Sequence, residues 1–160
     1  MAGDTRTKTT PWGAPNPVRP LALAIVTGAT FVARGFSAEP QHLTELMKQA
    51  ITHKGFALVD ILQPCVSFNF KNTYKWYRER VYKLEEDRSY DPADFESALR
   101  KSMEWGDKIP IGLLYRTQRQ TYEESLPGLA RGPLVEQKTE LTQIERLLNE
   151  FARIEISPTG

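Results

Sequence analysis

One cysteine, Cys65, in 160 residues permits no disulfide within the chain and cannot by itself build a four-cysteine zinc or iron–sulfur site. Any metal held there needs ligands from elsewhere. Net charge is nearly absent as well: 21 Lys and Arg against 20 Asp and Glu leave +1, so no global field draws the chain onto nucleic acid or an anionic membrane. Long apolar runs are also lacking. The longest, Leu21 to Ala33, is short of the roughly 20 residues of a membrane span and contains Thr27, Gly28 and Thr30. The first ten residues are polar, without the apolar centre of a signal peptide, so a cytoplasmic location is expected. There is no internal repeat, no Gly-x-Ser-x-Gly elbow, no Walker loop and no Gly-x-Gly-x-x-Gly fingerprint. The two histidines, His42 and His53, fall at opposite ends of one predicted helix, so they cannot share a metal and read as surface or helix-end residues. No complete catalytic constellation is legible.

What is present suffices for one domain with a real core, since 40% of the residues are hydrophobic and 26% charged. Residues 1–20 hold Pro11, Pro15, Pro17 and Pro20, a density that excludes regular helix and predicts an extended arm. Leu21 to Ala29 reads as a short, mostly buried helix behind that last proline. Phe31 to Arg34 reads as a strand closed by Gly35. Leu43, Leu46, Met47, Ala50 and Ile51 recur at the spacing of one helix face behind Pro40. Phe56 to Leu62 is almost continuously apolar, which predicts a strand covered on both faces. Strand, helix and strand in this order form a βαβ unit, so the class is α/β with a parallel sheet.

Beyond Cys65, aromatic residues from Phe68 to Tyr82 alternate with Lys71, Lys75, Arg78, Arg80 and Lys83. Such a segment could stack bases and neutralise phosphates. The plainer reading is a helix that packs Tyr74, Tyr77, Val81 and Leu84 inward, with no nucleic acid involved. Asp91-Pro92 opens a further helix with Phe95, Ala98, Leu99, Ser102 and Met103 on its inner face. Ile109 to Tyr115 is another strand, placed by Pro110 at a sheet edge or at a strand start. A last helical pattern at Leu141, Ile144, Leu148 and Phe151 suits packing against a partner.

Cys65 follows the end of a predicted strand, and the carboxyl ends of parallel strands are where ligands gather. From its setting alone, the thiol reads as a buried structural residue. The segments Thr7 to Gly13 (TKTTPWG), AIVTGATFVARGF from Ala24, HKGFALVDILQPCVSFN from His53 and KIPIGLLYRT from Lys108 together resemble the carboxyl-terminal half of the β subunit of 2-oxoacid:ferredoxin oxidoreductases. The resemblance spans roughly residues 5 to 128.

That resemblance implies a partial doubly wound parallel sheet of the thiamine diphosphate-binding fold with a helical carboxyl-terminal extension. The implied division is an arm at 1–20, the βαβ part at 21–66, the carboxyl-terminal region of the β subunit at 67–128, and a linker with the terminal helix at 129–160. It implies oxidative decarboxylation of a 2-oxoacid to acyl-CoA, with electrons passed to ferredoxin. The implied cofactors of the assembled enzyme are thiamine diphosphate, Mg2+ and a 4Fe-4S cluster, with none expected on the isolated chain. Cys65 corresponds to the family's fourth cluster ligand, the other three lying in the amino-terminal half. The implied partners are that amino-terminal β half and an α/γ subunit, with ferredoxin, coenzyme A and the 2-oxoacid reached through the complex. The family's Gly-Asp-Gly-Asp element is missing: Gly3-Asp4 and Gly106-Asp107 are isolated pairs. Lys8, Thr9 and Thr10 would follow the cofactor loop of a split enzyme, although a plain proline-rich arm fits them equally. A split gene, a truncated frame and a domain kept for assembly all fit this content, the last making the chain a non-catalytic interaction domain. Open sheet edges, and instability or self-association of the chain alone, are expected.

Overall fold

Residues 18–138 and 141–152 are described in the computed structural model. The proline-rich residues 1–17, with Lys8, Thr9 and Thr10, lie outside them. The described chain divides into two compact units, Met1–Gln120 and Thr121–Gly160.

In the first unit, Pro20 sits in the opening turn of α1 (Pro20–Val26), where its missing N–H costs nothing. The chain then reverses at Gly28, whose φ of 96° suits glycine. β1 (Phe31–Phe36) is buried along its whole length. α2 (Pro40–Thr52) crosses to β2 (Ala57–Leu62), which pairs parallel with β1 in the register Phe31 to Ala57 through Phe36 to Leu62. The expected βαβ unit is therefore present. After the Cys65 turn come α3 (Tyr74–Arg78), β3 (Val81–Lys83), α4 (Phe95–Met103) and β4 (Ile109–Arg116).

Among the described residues the four strands form one sheet in the order β2-β1-β4-β3. The α/β class holds, with one difference in direction. β3 and β4 are parallel to each other, but β4 runs antiparallel to β1, so the sheet is mixed. The register shifts between Val32 and Ala33, which face Tyr115 and Leu113 and leave Leu114 as an extra residue. The bulge turns Leu114 and Tyr115 to the same side, where they join Leu21, Ala24, Ile25, Val32 and Ala98 under α1 and α4. Tyr90 satisfies the bulge by donating its hydroxyl to the Leu114 carbonyl. The opposite face holds Phe31, Ala33 and Leu46 of α2, as alternation along β1 requires. Pro110 is the second residue of β4, so the strand-start reading is the one realised.

Several expectations change. The aromatic-basic segment is not one helix: α3 ends at Arg78 and Val81–Lys83 pairs with β4. Its Trp76 and Tyr77 pack on Phe36 and Leu62, and Arg80 stacks over the Trp76 ring at 4.4 Å. α4 begins after Asp94, whose side chain accepts the Glu96 amide, while Asp91 closes a turn by accepting from Ala93. Met103 is exposed, and Phe95, although partly exposed, turns its ring onto core Tyr115 at 6.0 Å between centroids. On α2 only Leu46 of the expected face is buried, Met47 and Ile51 being exposed. On α1, Leu23 and Val26 are exposed. β2 is covered on both faces only in part: Leu58 packs toward Val32 and Leu114, Ala57 and Val59 toward Leu46 of α2, and Ile61 is exposed.

The foot of β1 is tied by polar contacts. His53 Nε2 lies 2.8 Å from Thr30 Oγ1, which donates to the Phe56 carbonyl, and the imidazole leans on Phe31 with ring centroids 5.4 Å apart. Burial, and next the positive charge of Arg116, lower the His53 pKa below its ordinary 6.5. The unfolded chain then binds the proton more tightly than the folded one. His53 is accordingly expected to contribute stability that is full above pH 6.5 and is lost as pH falls through its lowered folded pKa. Urea unfolding across pH 5 to 8 should lose part of this slope in His53→Gln.

In the second unit, α5 (Tyr122–Ser125) opens on a reciprocal capping box between Thr121 and Glu124. Gln137 donates to the Gly128 and Gly132 carbonyls, and α6 (Leu141–Ala152) follows. Ile144, Leu148 and Phe151 are exposed on α6. Among the described residues no helix is long and apolar enough to cross a membrane.

Candidate functional site

The carboxyl ends of β1 and β2 point the same way, and the chain leaves β2 through buried Pro64 into the Cys65 turn. The Cys65 carbonyl accepts the Asn69 amide at 2.8 Å and the Phe68 amide at 3.3 Å. Asn69 is buried, and its Oδ1 accepts the amides of Lys71 and Asn72 while its Nδ2 donates to Asn72 Oδ1 at 3.0 Å. Thr73 then caps α3 by accepting from Trp76. Every one of these bonds uses backbone, asparagine or threonine groups, so the turn is held without the thiol. Cys65 itself is exposed, with Val66, Phe68 and Phe70 exposed around it. The expectation of a buried structural thiol is therefore corrected, since the turn stands outside the sheet's cover.

Beneath the strand ends, Arg34 of β1 and Asp60 of β2 face each other in register. Arg34 Nε donates to Asp60 Oδ2 at 2.9 Å, and its guanidinium carbon lies 5.4 Å from the Trp105 ring. Arg34 is only 4% exposed, while the Asp60 side chain is 27% exposed. Arg34 Nη1 is buried with no hydrogen-bond partner among the described residues. Sequence reading missed this pair, although one Arg inside FVARGF and one Asp inside ALVDIL are the signal: single opposite charges within consecutive apolar strands. Asp60→Asn keeps the shape but leaves the guanidinium charge uncompensated. Breaking a fully buried pair costs about 3–5 kcal/mol, so with Asp60 partly solvated a loss of about 2 kcal/mol is expected in urea unfolding.

A second polar cluster borders a groove of about 850 Å³. Tyr82 donates to Glu104 at 2.5 Å and accepts from Lys101 at 2.9 Å, and Lys101 pairs with Glu104 at 3.1 Å. Burial, then the Glu104 hydrogen bond, raises the Tyr82 pKa, while the Tyr82 hydrogen bond raises that of Lys101. Phenol and ammonium thus keep their protons, which ties β3 to α4 and offers no free base. His42 stands apart from His53, its Nε2 3.4 Å from Glu85. The same Glu85 carboxylate accepts the Leu113 amide and covers Gly112, where φ is 117°. A Cβ there would sit 2.5 Å from the Glu85 oxygens, so this position requires glycine.

Among the described residues no three His, Cys, Asp or Glu side chains converge to hold a metal ion. The described donors do not by themselves make a cluster or magnesium-diphosphate site, and Cys65, the one cysteine of the sequence, supplies one thiolate at most.

Fold and turn together define a class: a mixed α/β sheet whose β2 edge has no strand beside it among the described residues, and a cysteine presented beyond its parallel strand ends. Comparison with known proteins specifies it further. The family model for the C-terminal region of the pyruvate ferredoxin oxidoreductase β chain matches residues 65–131. A 2-oxoacid:ferredoxin oxidoreductase subunit beta of Saccharolobus solfataricus is 46% identical over 119 residues, which are 68% of this chain and 39% of that protein. Subunit beta of 2-oxoacid:ferredoxin oxidoreductase 2 of Aeropyrum pernix is 42% identical over 138 residues, covering 78% of this chain and 45% of its own length. A solved structure, the 2-oxoglutarate:ferredoxin oxidoreductase from Magnetococcus marinus with 2-oxoglutarate, coenzyme A and succinyl-CoA bound, superposes with a TM-score of 0.76 at 34% identity. The superposition covers 92% of this chain and 50% of that one. The chain is similar to the β subunits of 2-oxoacid:ferredoxin oxidoreductases, as the sequence resemblance implied, with residues 65–131 matching the C-terminal family model, and it spans less than half the length of these curated relatives.

Proposed function

We propose that this chain serves as the carboxyl-terminal part of the β subunit in a 2-oxoacid:ferredoxin oxidoreductase. The assembled enzyme would oxidise a 2-oxoacid to its acyl-CoA and pass the electrons to ferredoxin. The observation that carries the reading is the exposed Cys65 on a turn held entirely by other groups, within a sequence 46% identical to such a subunit. Thiamine diphosphate, Mg2+ and a 4Fe-4S cluster would be held mainly by the amino-terminal part of the subunit, with Cys65 lending the cluster one thiolate. An α/γ subunit is the further partner, and the cytoplasm the proposed location. The arm at 1–20, the βαβ part at 21–66, the region 67–128 and the terminal segment 129–160 are the proposed divisions of the chain.

The test is anaerobic affinity isolation from the source cells, followed by assay of 2-oxoacid- and coenzyme A-dependent viologen reduction. Activity with a co-eluting amino-terminal β portion and α/γ subunit is the expected result. A complex that forms without activity would instead make the chain a non-catalytic assembly domain.

A further inference from the structure

Resting on that reading, we infer that the cationic face of α3, held beside the Cys65 turn, is the surface on which the assembled enzyme receives ferredoxin, an acidic electron carrier. The charge of this chain is unevenly spread. Residues 63–80 hold Lys71, Lys75, Arg78 and Arg80 against Glu79 alone, a net +3 in a chain whose total is +1. The remainder is therefore slightly acidic, and positive potential gathers on one short stretch. Lys71, Lys75 and Arg78 are exposed, the Lys75 side chain at 88%. Glu79 lies 4.0 Å from Lys75 in a solvent-exposed pair, too weak to withhold that ammonium from an incoming anion. Arg80 does not join this face: its guanidinium donates to the Trp76 carbonyl at 2.9 Å and lies over the Trp76 ring.

Local structure fixes these cations next to the cysteine. The Asn69 side chain accepts the amides of Lys71 and Asn72 and donates to Asn72 Oδ1, the Asn69 amide donates to the Cys65 carbonyl, and Thr73 caps α3 directly afterwards. Lys75 and Arg78 thus leave a braced turn, on a helix only about 7 Å long, and not a free loop. The aromatic residues decide between two classes of anionic partner. A nucleic acid needs open rings for its bases, but Trp76 and Tyr77 pack on Phe36 and Leu62, Tyr74 leans on Phe36 at 6.2 Å between centroids, and Arg80 covers Trp76. The cations, with Val66 and Cys65 exposed in the turn before them, suit the acidic surface of a protein. An electron carrier must also approach the group that discharges into it, and Cys65 is where the proposed cluster thiolate lies.

The test uses the complex isolated from the source cells, with Lys75→Glu and Arg78→Glu together in this chain, and the ferredoxin of the same source. Ferredoxin affinity is measured without turnover, by interferometry at low and high salt, and 2-oxoacid-dependent reduction of ferredoxin and of viologen is assayed beside it. The double variant should bind ferredoxin about tenfold or more weakly at low salt, lose most of the parent's salt dependence and raise KM for ferredoxin in step, with viologen reduction unchanged. Arg78→Gln should shift the same quantities in the same direction by less. Lys48→Glu on exposed α2 reverses a charge elsewhere and should leave ferredoxin binding as it was. Unaltered ferredoxin affinity in the double variant, an equal loss in Lys48→Glu, or a parallel fall in viologen reduction would overturn the docking face. Oligonucleotide binding abolished by the double variant, with ferredoxin binding retained, would assign the face to nucleic acid instead. A parent complex that binds ferredoxin through this face yet reduces no viologen with any 2-oxoacid would sink the enzymatic reading alone.

Discussion

Cys65→Ser in the assembled enzyme is expected to reduce 2-oxoacid-dependent viologen reduction by about a hundredfold or more. Changes to residues that merely support a metal ligand already cost about 10–100-fold, and losing a ligand should cost at least as much. Serine offers a hard, protonated oxygen in place of the soft thiolate that iron–sulfur clusters select. The same substitution should leave folding stability within about 0.5 kcal/mol, as for other exposed positions. The side chain is exposed, and the turn rests on the Cys65 carbonyl, Asn69 and Asn72. Iron content and activity should therefore fall together, with thermal unfolding unchanged. Full iron and full activity in the serine variant would remove Cys65 from the cluster.

Phe36→Ala should have the largest effect on stability. Phe36 is completely buried where β1 ends, among Leu62, Ile109 and Ile111. Its ring meets Tyr77 at 5.8 Å and Tyr74 at 6.2 Å between centroids. Truncating such a phenylalanine costs about 3–5 kcal/mol in lost burial and cavity, a large share of the roughly 5–15 kcal/mol that holds a domain together. A fall in melting temperature of about 10 °C or more is expected by calorimetry. Because Phe36 also backs α3, which follows the Cys65 turn, the variant should lose co-purification with its partners at growth temperature before it unfolds. A melting temperature within about 2 °C of the parent would show that this end of the sheet is not packed as described.

Much of this fold is legible in the amino-acid order, for identifiable reasons. α2, β1, β2 and β4 announce themselves through period, proline placement and apolar runs, because each follows from local sterics and burial. β3 is hidden because three residues, Val81 to Lys83, cannot establish an alternation against the helical pattern that precedes them. The direction of β4 is equally silent, since an apolar strand reads the same in either orientation. Exposed Met47 and Ile51 of α2 and Ile61 of β2 read as covered because an apolar residue reports a wish for burial, whatever supplies it. At the site, the place of Cys65 after a strand is legible, but its exposure is not. The Arg34–Asp60 pair requires the register between two strands, which only the assembled sheet provides.

The neighbours of β1 differ greatly in how far along the chain they lie. β2 reaches it through a single helix, but β4 arrives only after the turn, α3, β3 and α4 have been laid down. Loop closure over so long a stretch makes such a pairing late and slow. During refolding, the βαβ unit would therefore form first, leaving the buried strand Phe31–Phe36 with one flank temporarily bare. In that interval both flanks of the nascent two-stranded unit are open to other molecules. Dilute protein and low temperature during refolding, or a chaperone in the cell, should matter more to the yield of this chain than its equilibrium stability would suggest.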